Sequence, residues 1–163
     1  MEPKISDSDY YPIISVNYDY KKRDQLIILL NLWFTLTGMF LINRFFYRNF
    51  LFTGSRIKLL LLPIFLYGLI WEFLIFSMIS TTLIYKFLVL IEAPKEGNFD
   101  LSGREFRFYC LRFWTAYYLI YIARAMPMPW VDKFVFPIFG SKVGSNVVLY
   151  DSWIDPEFVQ VGD

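Results

Sequence analysis

Two long apolar stretches constrain this 163-residue chain more than any other feature. Leu26–Ile42 holds no charged residue over about 17 positions, and Leu59–Tyr85 holds a single charge, Glu72, over about 27. A helix rising 1.5 Å per residue needs about 20 apolar residues to cross a hydrocarbon core roughly 30 Å thick. The pattern predicts a mostly α membrane protein, with a two-helix transmembrane hairpin in residues 26–92 behind a polar cytoplasmic tail at 1–25.

Basic residues near the ends of the two stretches predict the orientation of the hairpin. The predicted connecting loop carries Arg44, Arg48, Arg56 and Lys58. The two flanks together carry more, including Lys21, Lys22, Arg23, Lys86, Lys95, Arg104, Arg107 and Arg112. Because cytoplasmic segments carry the excess of Lys and Arg, we expect a multi-pass protein of the cell membrane with both termini in the cytoplasm.

A Pro- and Gly-containing break after Glu92 separates the hairpin from a predicted amphipathic region at residues 93–140. Ser102 and Glu105 fit a capping box, which predicts that a helix begins there. Its basic residues Arg104, Arg107 and Arg112 share one side and aromatic residues fill much of the rest, so we expect an interfacial helix lying in the membrane surface. The three arginines are candidates to bind lipid headgroups or the phosphate of a coenzyme or carrier arm. A third span, the rival interpretation, is too short at about eleven residues, from Phe113 to Ala123.

Glu72 is the one ionisable residue deep inside a predicted span. Such residues are costly and usually face a partner or a water-filled cavity. One interpretation is a membrane-embedded carboxylate that binds a cationic group, for example an amine substrate, in a pocket completed by further helices or another subunit. The other is a protonated or hydrogen-bonded residue whose partner is Thr35 or Thr37.

The composition excludes several classes of function. The chain has no histidine, so no catalytic residue of that type is available, and its single cysteine, Cys110, is expected to be a small buried hydrophobe. A net charge of +1 argues against nucleic acid as a partner. Asp151, Asp155 and Glu157 are expected to be solvated turn carboxylates, and we predict no metal site.

The C-terminal residues 141–163 begin a repeat. Val143-Gly144-Ser145-Asn146-Val147 recurs as Val161-Gly162-Asp163 after about eighteen residues, the length of one coil of a left-handed parallel β-helix built from hexapeptides. The predicted β-helix core comprises Val143, Val147, Leu149, Ile154 and Val161, with a bulge before Pro156 that turns Ile154 inward. Because a solenoid needs roughly three or more repeats, we expect residues 141–163 to be the truncated start of one and the chain to be an N-terminal fragment.

These C-terminal runs, Lys142–Val147 and Asp155–Asp163, resemble the opening coils of hexapeptide-repeat (isoleucine-patch) acyltransferases. Together with the Pro94–Phe99 turn, the aromatic helix containing Arg112 and the hairpin, they look like the membrane-bound C-terminal module of poly-lysine-type nonribosomal peptide synthetases. The resemblance implies transfer of an acyl or aminoacyl group from a thioester, on coenzyme A or a phosphopantetheine carrier, to an amine. It also implies a carrier protein or adenylation domain as partner, and a homo-oligomer.

No catalytic residue can be carried over from that family, because its soluble members commonly use a histidine. The chain is therefore expected to be an inactive anchoring part bound to the lipid bilayer. The alternative is a complete, small, non-enzymatic membrane protein that assembles with partners through a strand edge. A transporter subunit would depend on Glu72 alone.

Overall fold

The computed structural model describes residues 22–50, 57–95, 103–126, 128, 130–147, 149 and 155–162. Three long helices come first, followed by short elements. In chain order they are α1 (Lys22–Phe50), α2 (Ile57–Ile91), α3 (Arg104–Ala125), α4 (Asp132–Val135), a 3₁₀ turn (Phe136–Phe139), β1 (Lys142–Val143) and β2 (Gln160–Val161). The described part of the chain is thus mostly helical.

Helices α1 and α2 form the predicted antiparallel hairpin. Asn43 contacts Glu72 near one end of the pair, and Thr35 contacts Ser80 further along. Gly38 allows close approach between these points, since a Cβ there would lie 2.5 Å from the Phe76 ring. Both helices are long and apolar enough to cross a membrane. Only 11% and 33% of their most apolar windows are buried, whereas a core helix of a soluble protein would be mostly buried.

Both helices extend beyond the predicted bounds. Helix α1 begins at Lys22, inside the predicted tail, and continues through Phe50, so Arg44 and Arg48 are helical rather than part of a loop. Helix α2 continues past Tyr85 to Ile91. The physical reason is that a charged residue does not end a helix, whereas Pro and Gly do. The first such residue after Ile42 is Gly54, and the first after Tyr85 is Pro94. The rest of the tail, residues 1–21, lies outside the described residues.

Helix α3 packs against the hairpin, and part of its aromatic surface is covered by the protein. Phe106, Tyr109, Phe113 and Tyr117 are buried within the protein. Cys110 is also buried, which confirms the prediction for this residue. The N-cap of α3 is Gly103 and has no side-chain capping bond, and Glu105 contacts Lys95. Ser102 lies outside the described residues.

The two short strands pair in parallel, with Lys142 opposite Gln160 and Val143 opposite Val161. The paired residues are eighteen positions apart, as the repeat predicts. Leu149 is buried, Val143, Val147 and Val161 pack partly buried against the same core, and the predicted core residue Ile154 lies outside the described part. Since the described residues form two strands and no further coil, the β-helix itself stays a prediction.

Candidate functional site

A buried ion pair joins α3 to the segment that contains β2. Arg112 Nε donates to Glu157 Oε1 at 2.6 Å, and Nη2 donates to Oε2 at 3.2 Å. The two side chains are only 3% and 1% exposed. This two-point geometry is the strongest form of carboxylate binding by arginine.

Neighbouring groups complete the hydrogen bonding of this pair. Arg112 Nη1 donates to the Glu92 carbonyl, just after α2, at 2.8 Å. The Tyr85 hydroxyl lies 3.0 Å from Glu157 Oε1 and 2.8 Å from the Phe139 carbonyl. We call Tyr85, Tyr109, Arg112, Asp155 and Glu157 the buried joint, because this cluster ties α2 and α3 to the C-terminal segment.

Asp155 supplies the second half of the joint. The Tyr109 hydroxyl donates to Asp155 Oδ2 at 2.5 Å, and Asp155 Oδ1 accepts the Glu157 backbone N–H at 2.8 Å. The latter bond spans two residues, as in an Asx turn, and shapes the chain just before β2. The turn therefore presents Glu157 to Arg112.

Burial dominates the electrostatics of the joint. It raises the pKa of Glu157 above its ordinary value, while the Arg112 guanidinium and the Tyr85 hydroxyl act in the opposite direction. Burial, followed by the hydrogen bond to Asp155, raises the pKa of the Tyr109 phenol. Contacts within the protein thus link α2, α3 and the segment 155–162 through this cluster.

Two sequence predictions are wrong at this site. Arg112 was expected on an exposed face, but it is buried, because that side of α3 faces the end of α2 and the segment 155–162. Its guanidinium is bound to Glu157 and is not open to a lipid or coenzyme phosphate.

The second wrong prediction concerns Glu157, which the sequence places in a solvated turn and which is buried as well. One signal was available: Arg112 stands in an aromatic run with no acidic residue three or four positions away, so its partner had to come from elsewhere.

Arg104 and Arg107, the other two phosphate candidates, lie exposed near the start of α3. Arg104 Nε is 3.5 Å from Glu92 Oε2, and its guanidinium lies 5.5 Å from the centre of the Phe108 ring. Arg107 Nε donates to the Gly103 carbonyl at 3.3 Å. Both therefore remain accessible, and their role as headgroup or phosphate ligands stays a prediction.

Lys95 belongs to the same exposed end. It contacts Glu105 at 2.6 Å and Glu92 at 3.2 Å. The hydrogen bonds to Glu105 and Glu92 raise the pKa of Lys95. These exposed contacts order the chain between α2 and α3, although pairs of this kind contribute little to stability.

The Glu72 carboxylate has a different partner from Thr35 and Thr37, the two partners that the sequence predicts. Asn43 Nδ2 lies 3.1 Å and 3.0 Å from the two Glu72 carboxylate oxygens. Thr35 instead lies 3.1 Å from Ser80 Oγ. The binding of an amine beside Glu72 stays a prediction.

An apolar groove of about 510 Å³ does run along α1 and α2, but Glu72 does not line it. Its walls include Leu30, Phe34, Phe76, Leu83 and Phe87. Its lining is almost entirely apolar and supplies no carboxylate. The groove therefore does not provide the pocket that an amine at Glu72 would need.

Neutral polar side chains form a second buried cluster, between α1 and α2. Asn31 Oδ1 accepts from Ser80 and Thr81, each at 3.3 Å, and the Tyr118 hydroxyl of α3 lies 3.5 Å from Thr35 Oγ1. We call Asn31, Thr35, Ser77, Ser80 and Thr81 the hydroxyl seam. The Ser77 hydroxyl is buried without a hydrogen-bond partner among the described residues. Polar side chains in such positions typically hold membrane helices together.

The described residues contain no group of three His, Cys, Asp or Glu side chains that could hold a metal ion. Asp151, one member of the acidic cluster in the sequence, lies outside them. The chain matches no protein-family model, no curated protein and no solved structure. The resemblance to hexapeptide acyltransferases therefore stays a prediction from the residues that carry it.

Proposed function

We propose that this chain is the membrane-anchoring N-terminal part of a β-helix acyl- or aminoacyltransferase. The observation that carries the proposal is the parallel pairing of β1 with β2 at an offset of eighteen residues. A hexapeptide β-helix needs that spacing between neighbouring coils. In this proposal α1 and α2 cross the bilayer, and the buried joint holds the first coil against them.

The placement of charge supports an orientation with both termini in the cytoplasm. The N-terminal end of α1 and the C-terminal end of α2 lie at the same end of the antiparallel hairpin. Lys22, Lys95, Arg104 and Arg107 lie at or near this end, as the positive-inside rule expects of the cytoplasmic side. The joint is at this end too, because Arg112 contacts the Glu92 carbonyl directly after α2. A catalytic β-helix would thus stand on the cytoplasmic surface.

In the proposed reaction, the amine nitrogen attacks the carbonyl carbon of a thioester on coenzyme A or a phosphopantetheine carrier. A C–N bond forms, the C–S bond breaks, and the amine proton leaves with the thiol. The chain has no histidine to act as base, so the 163 residues supply position rather than catalysis. A carrier protein or adenylation domain would deliver the donor, and further copies of the chain would complete an oligomer.

The reading frame beyond the codon for Asp163 provides the first test. We expect it to continue in hexapeptides with a histidine in a later coil. The longer product, purified in detergent, should transfer a radiolabelled acyl or aminoacyl group from a thioester to an amine, whereas the 163-residue chain should not. A stop codon directly after Asp163, or a longer product without transfer activity, would contradict the enzymatic proposal.

One observation favours the alternative, a complete membrane protein that assembles with partners. Within the described residues β2 pairs with β1 only, which leaves its other edge open. Open strand edges pair readily with another chain. If the reading frame stops at Asp163, a crosslinker on Gly162→Cys, an exposed position beside β2, should capture a partner strand in membranes. Loss of that product when Gln160→Pro is added to Gly162→Cys would assign the contact to the strand edge.

A further inference from the structure

The outer side of α3 carries a stripe that the rest of the described protein leaves at least partly open. Three of its members are spaced three residues apart and the other two follow about two turns later, which places them on one side of the helix. They are Phe108, Leu111, Trp114, Tyr121 and Ile122, and we call them the aromatic stripe. Tyr118 is not a member, because its hydroxyl lies 3.5 Å from Thr35 Oγ1 of α1. An outward stripe on a helix in water is normally polar or charged, but this one has no charged residue.

The charges of α3 are placed away from the stripe or at its beginning. Arg104 and Arg107 precede the stripe. Arg112 is buried in the joint, and Arg124 lies with its guanidinium 5.9 Å from the centre of the Phe136 ring. A hydropathy average over α3 hides this segregation, because it counts inward and outward residues alike. The stripe itself therefore carries no charge.

Contacts along α3 establish how it runs relative to the hairpin. Arg112 lies at the end of α2, where it contacts the Glu92 carbonyl at 2.8 Å. The Tyr118 hydroxyl reaches Thr35 in the middle of α1, at 3.5 Å. Beyond α3, the Trp130 ring stacks on Trp71 with 6.4 Å between centres. Helix α3 therefore runs back along α2 from its end towards its middle, rather than across it.

The depth of this path follows from the exposed surface of α1. Around Thr35, α1 exposes Trp33, Phe34 and Leu36 by 60%, 47% and 50%. Such a surface belongs in hydrocarbon if α1 spans the bilayer. The Tyr118 region of α3 packs at the same level, so it must lie in hydrocarbon as well.

We propose that α3 inserts into the bilayer beside α1 and α2, with the aromatic stripe facing lipid acyl chains and Arg104 and Arg107 at the headgroups. The proposal rests on the proposed crossing of the membrane by α1 and α2. The chain then returns through α4 and the 3₁₀ turn to the side from which α3 entered, where Phe139 meets Tyr85. Helix α3 is thus one limb of a re-entrant hairpin, and not a helix lying flat in the surface.

Spin labels at single cysteines can separate these two orientations in lipid vesicles. In a Cys110→Ala background, Arg107→Cys, Leu111→Cys and Tyr121→Cys sample successive depths, and Phe34→Cys on α1 is the reference for hydrocarbon. Collisions of each label with oxygen and with a water-soluble nickel chelate report its depth. At 1.5 Å per residue, we expect Tyr121 to lie up to about 21 Å deeper than Arg107 along the helix. A helix lying flat would give both labels the same depth.

The outcomes distinguish this inference from the proposal on which it rests. A lipid-like signal at Phe34 with a steady increase in depth from Arg107 to Tyr121 supports insertion. A lipid-like signal at Phe34 with equal depths on α3, or with nickel contact at Tyr121, overturns insertion alone. Nickel contact at Phe34 overturns the membrane crossing of α1.

A second measurement uses the unsubstituted protein, so it does not depend on whether the variants fold. A carbene reagent that partitions into hydrocarbon is photolysed in the vesicles, and the peptides are mapped by mass spectrometry. We expect adducts on Leu111, Trp114 and Tyr121 at yields similar to those on Phe34. Adducts on Phe34 with none on the stripe would contradict the insertion of α3.

Discussion

The hydroxyl seam and the buried joint both bury polar groups, but they do so with different chemistry. The seam uses neutral side chains between α1 and α2, with distances such as 3.1 Å and 3.3 Å. The joint uses a guanidinium, two carboxyl groups and two phenols, with distances of 2.6 Å from Arg112 to Glu157 and 2.5 Å from Tyr109 to Asp155. In the seam the helices satisfy their own backbone, so weak contacts between side chains suffice.

The joint has an additional task, because it lies where regular structure ends. The Glu92 carbonyl lies just after the end of α2 and accepts a hydrogen bond from Arg112. The Phe139 carbonyl lies at the end of the 3₁₀ turn and accepts one from Tyr85. Unpaired carbonyls at helix ends need such partners when they are buried. The comparison teaches that neutral contacts can align helices, whereas a charged network holds an irregular segment against them.

The largest expected effect comes from breaking the ion pair of the joint. Glu157→Ala leaves the Arg112 guanidinium buried without its counterion, which should cost about 3–5 kcal/mol of unfolding free energy. The measurement is unfolding in detergent micelles followed by circular dichroism. Arg104→Ala, which removes an exposed arginine, is the control and should change stability by less than about 0.5 kcal/mol.

The double variant Arg112→Met, Glu157→Leu sharpens this test. Replacing both charges with apolar groups should recover much of the loss, because no uncompensated charge remains buried. If Glu157→Ala were no more destabilising than Arg104→Ala, the joint would not hold the C-terminal segment as described.

The next effect concerns the other half of the joint. Tyr109→Phe removes a hydrogen bond to a carboxylate and should cost about 2 kcal/mol near neutral pH. Because the folded pKa of Tyr109 is raised above 10.0, its contribution is fully present below pH 10 and declines above it, where the unfolded phenol ionises first. Stability measured from pH 8 to 11 should therefore fall more steeply for the unsubstituted protein than for Tyr109→Phe. Parallel curves would contradict this assignment.

A matched pair of glycines tests close approach in the hairpin. A Cβ at Gly38 would meet the Phe76 ring at 2.5 Å, whereas a Cβ at Gly68 would meet nothing within 4 Å. Gly38→Ala should destabilise the hairpin by about 1–3 kcal/mol through overpacking. Gly68→Ala should stabilise α2 by up to about 1 kcal/mol through helix propensity. Similar changes in melting temperature for both variants would show that α1 and α2 do not depend on this contact.

The smallest expected effect is the loss of one contact in the seam. Thr35→Val removes the hydroxyl that lies 3.1 Å from Ser80 Oγ and keeps a similar side-chain volume. Bonds of this kind between membrane helices contribute about 0.6 kcal/mol each, so the melting temperature should fall only slightly. Thr37→Val is the control outside the seam. A loss as large as that for Glu157→Ala would mean that the seam and the joint do not differ in the way proposed.

The sequence alone was sufficient for features that depend on local patterns. Long apolar runs with at most one charge predicted the helices of the hairpin, because apolar length decides whether a segment can cross a bilayer. The eighteen-residue repeat predicted the register of β1 with β2, since the repeat length determines which residues become neighbours. The predicted bounds of these helices are too short, because α1 and α2 continue through charged residues until a Pro or Gly approaches.

Only the tertiary structure decided which polar residues meet. Arg112 and Glu157 are 45 positions apart, and no periodic pattern connects them. The helical wheel grouped Arg112 with Arg104 and Arg107, but it could not show that α2 and the C-terminal segment would cover one arginine and leave the other two exposed. Amphipathicity describes one helix in isolation, whereas burial depends on every segment that packs against it. For this reason the sequence determined the helices and the strand register, and the tertiary packing determined the joint.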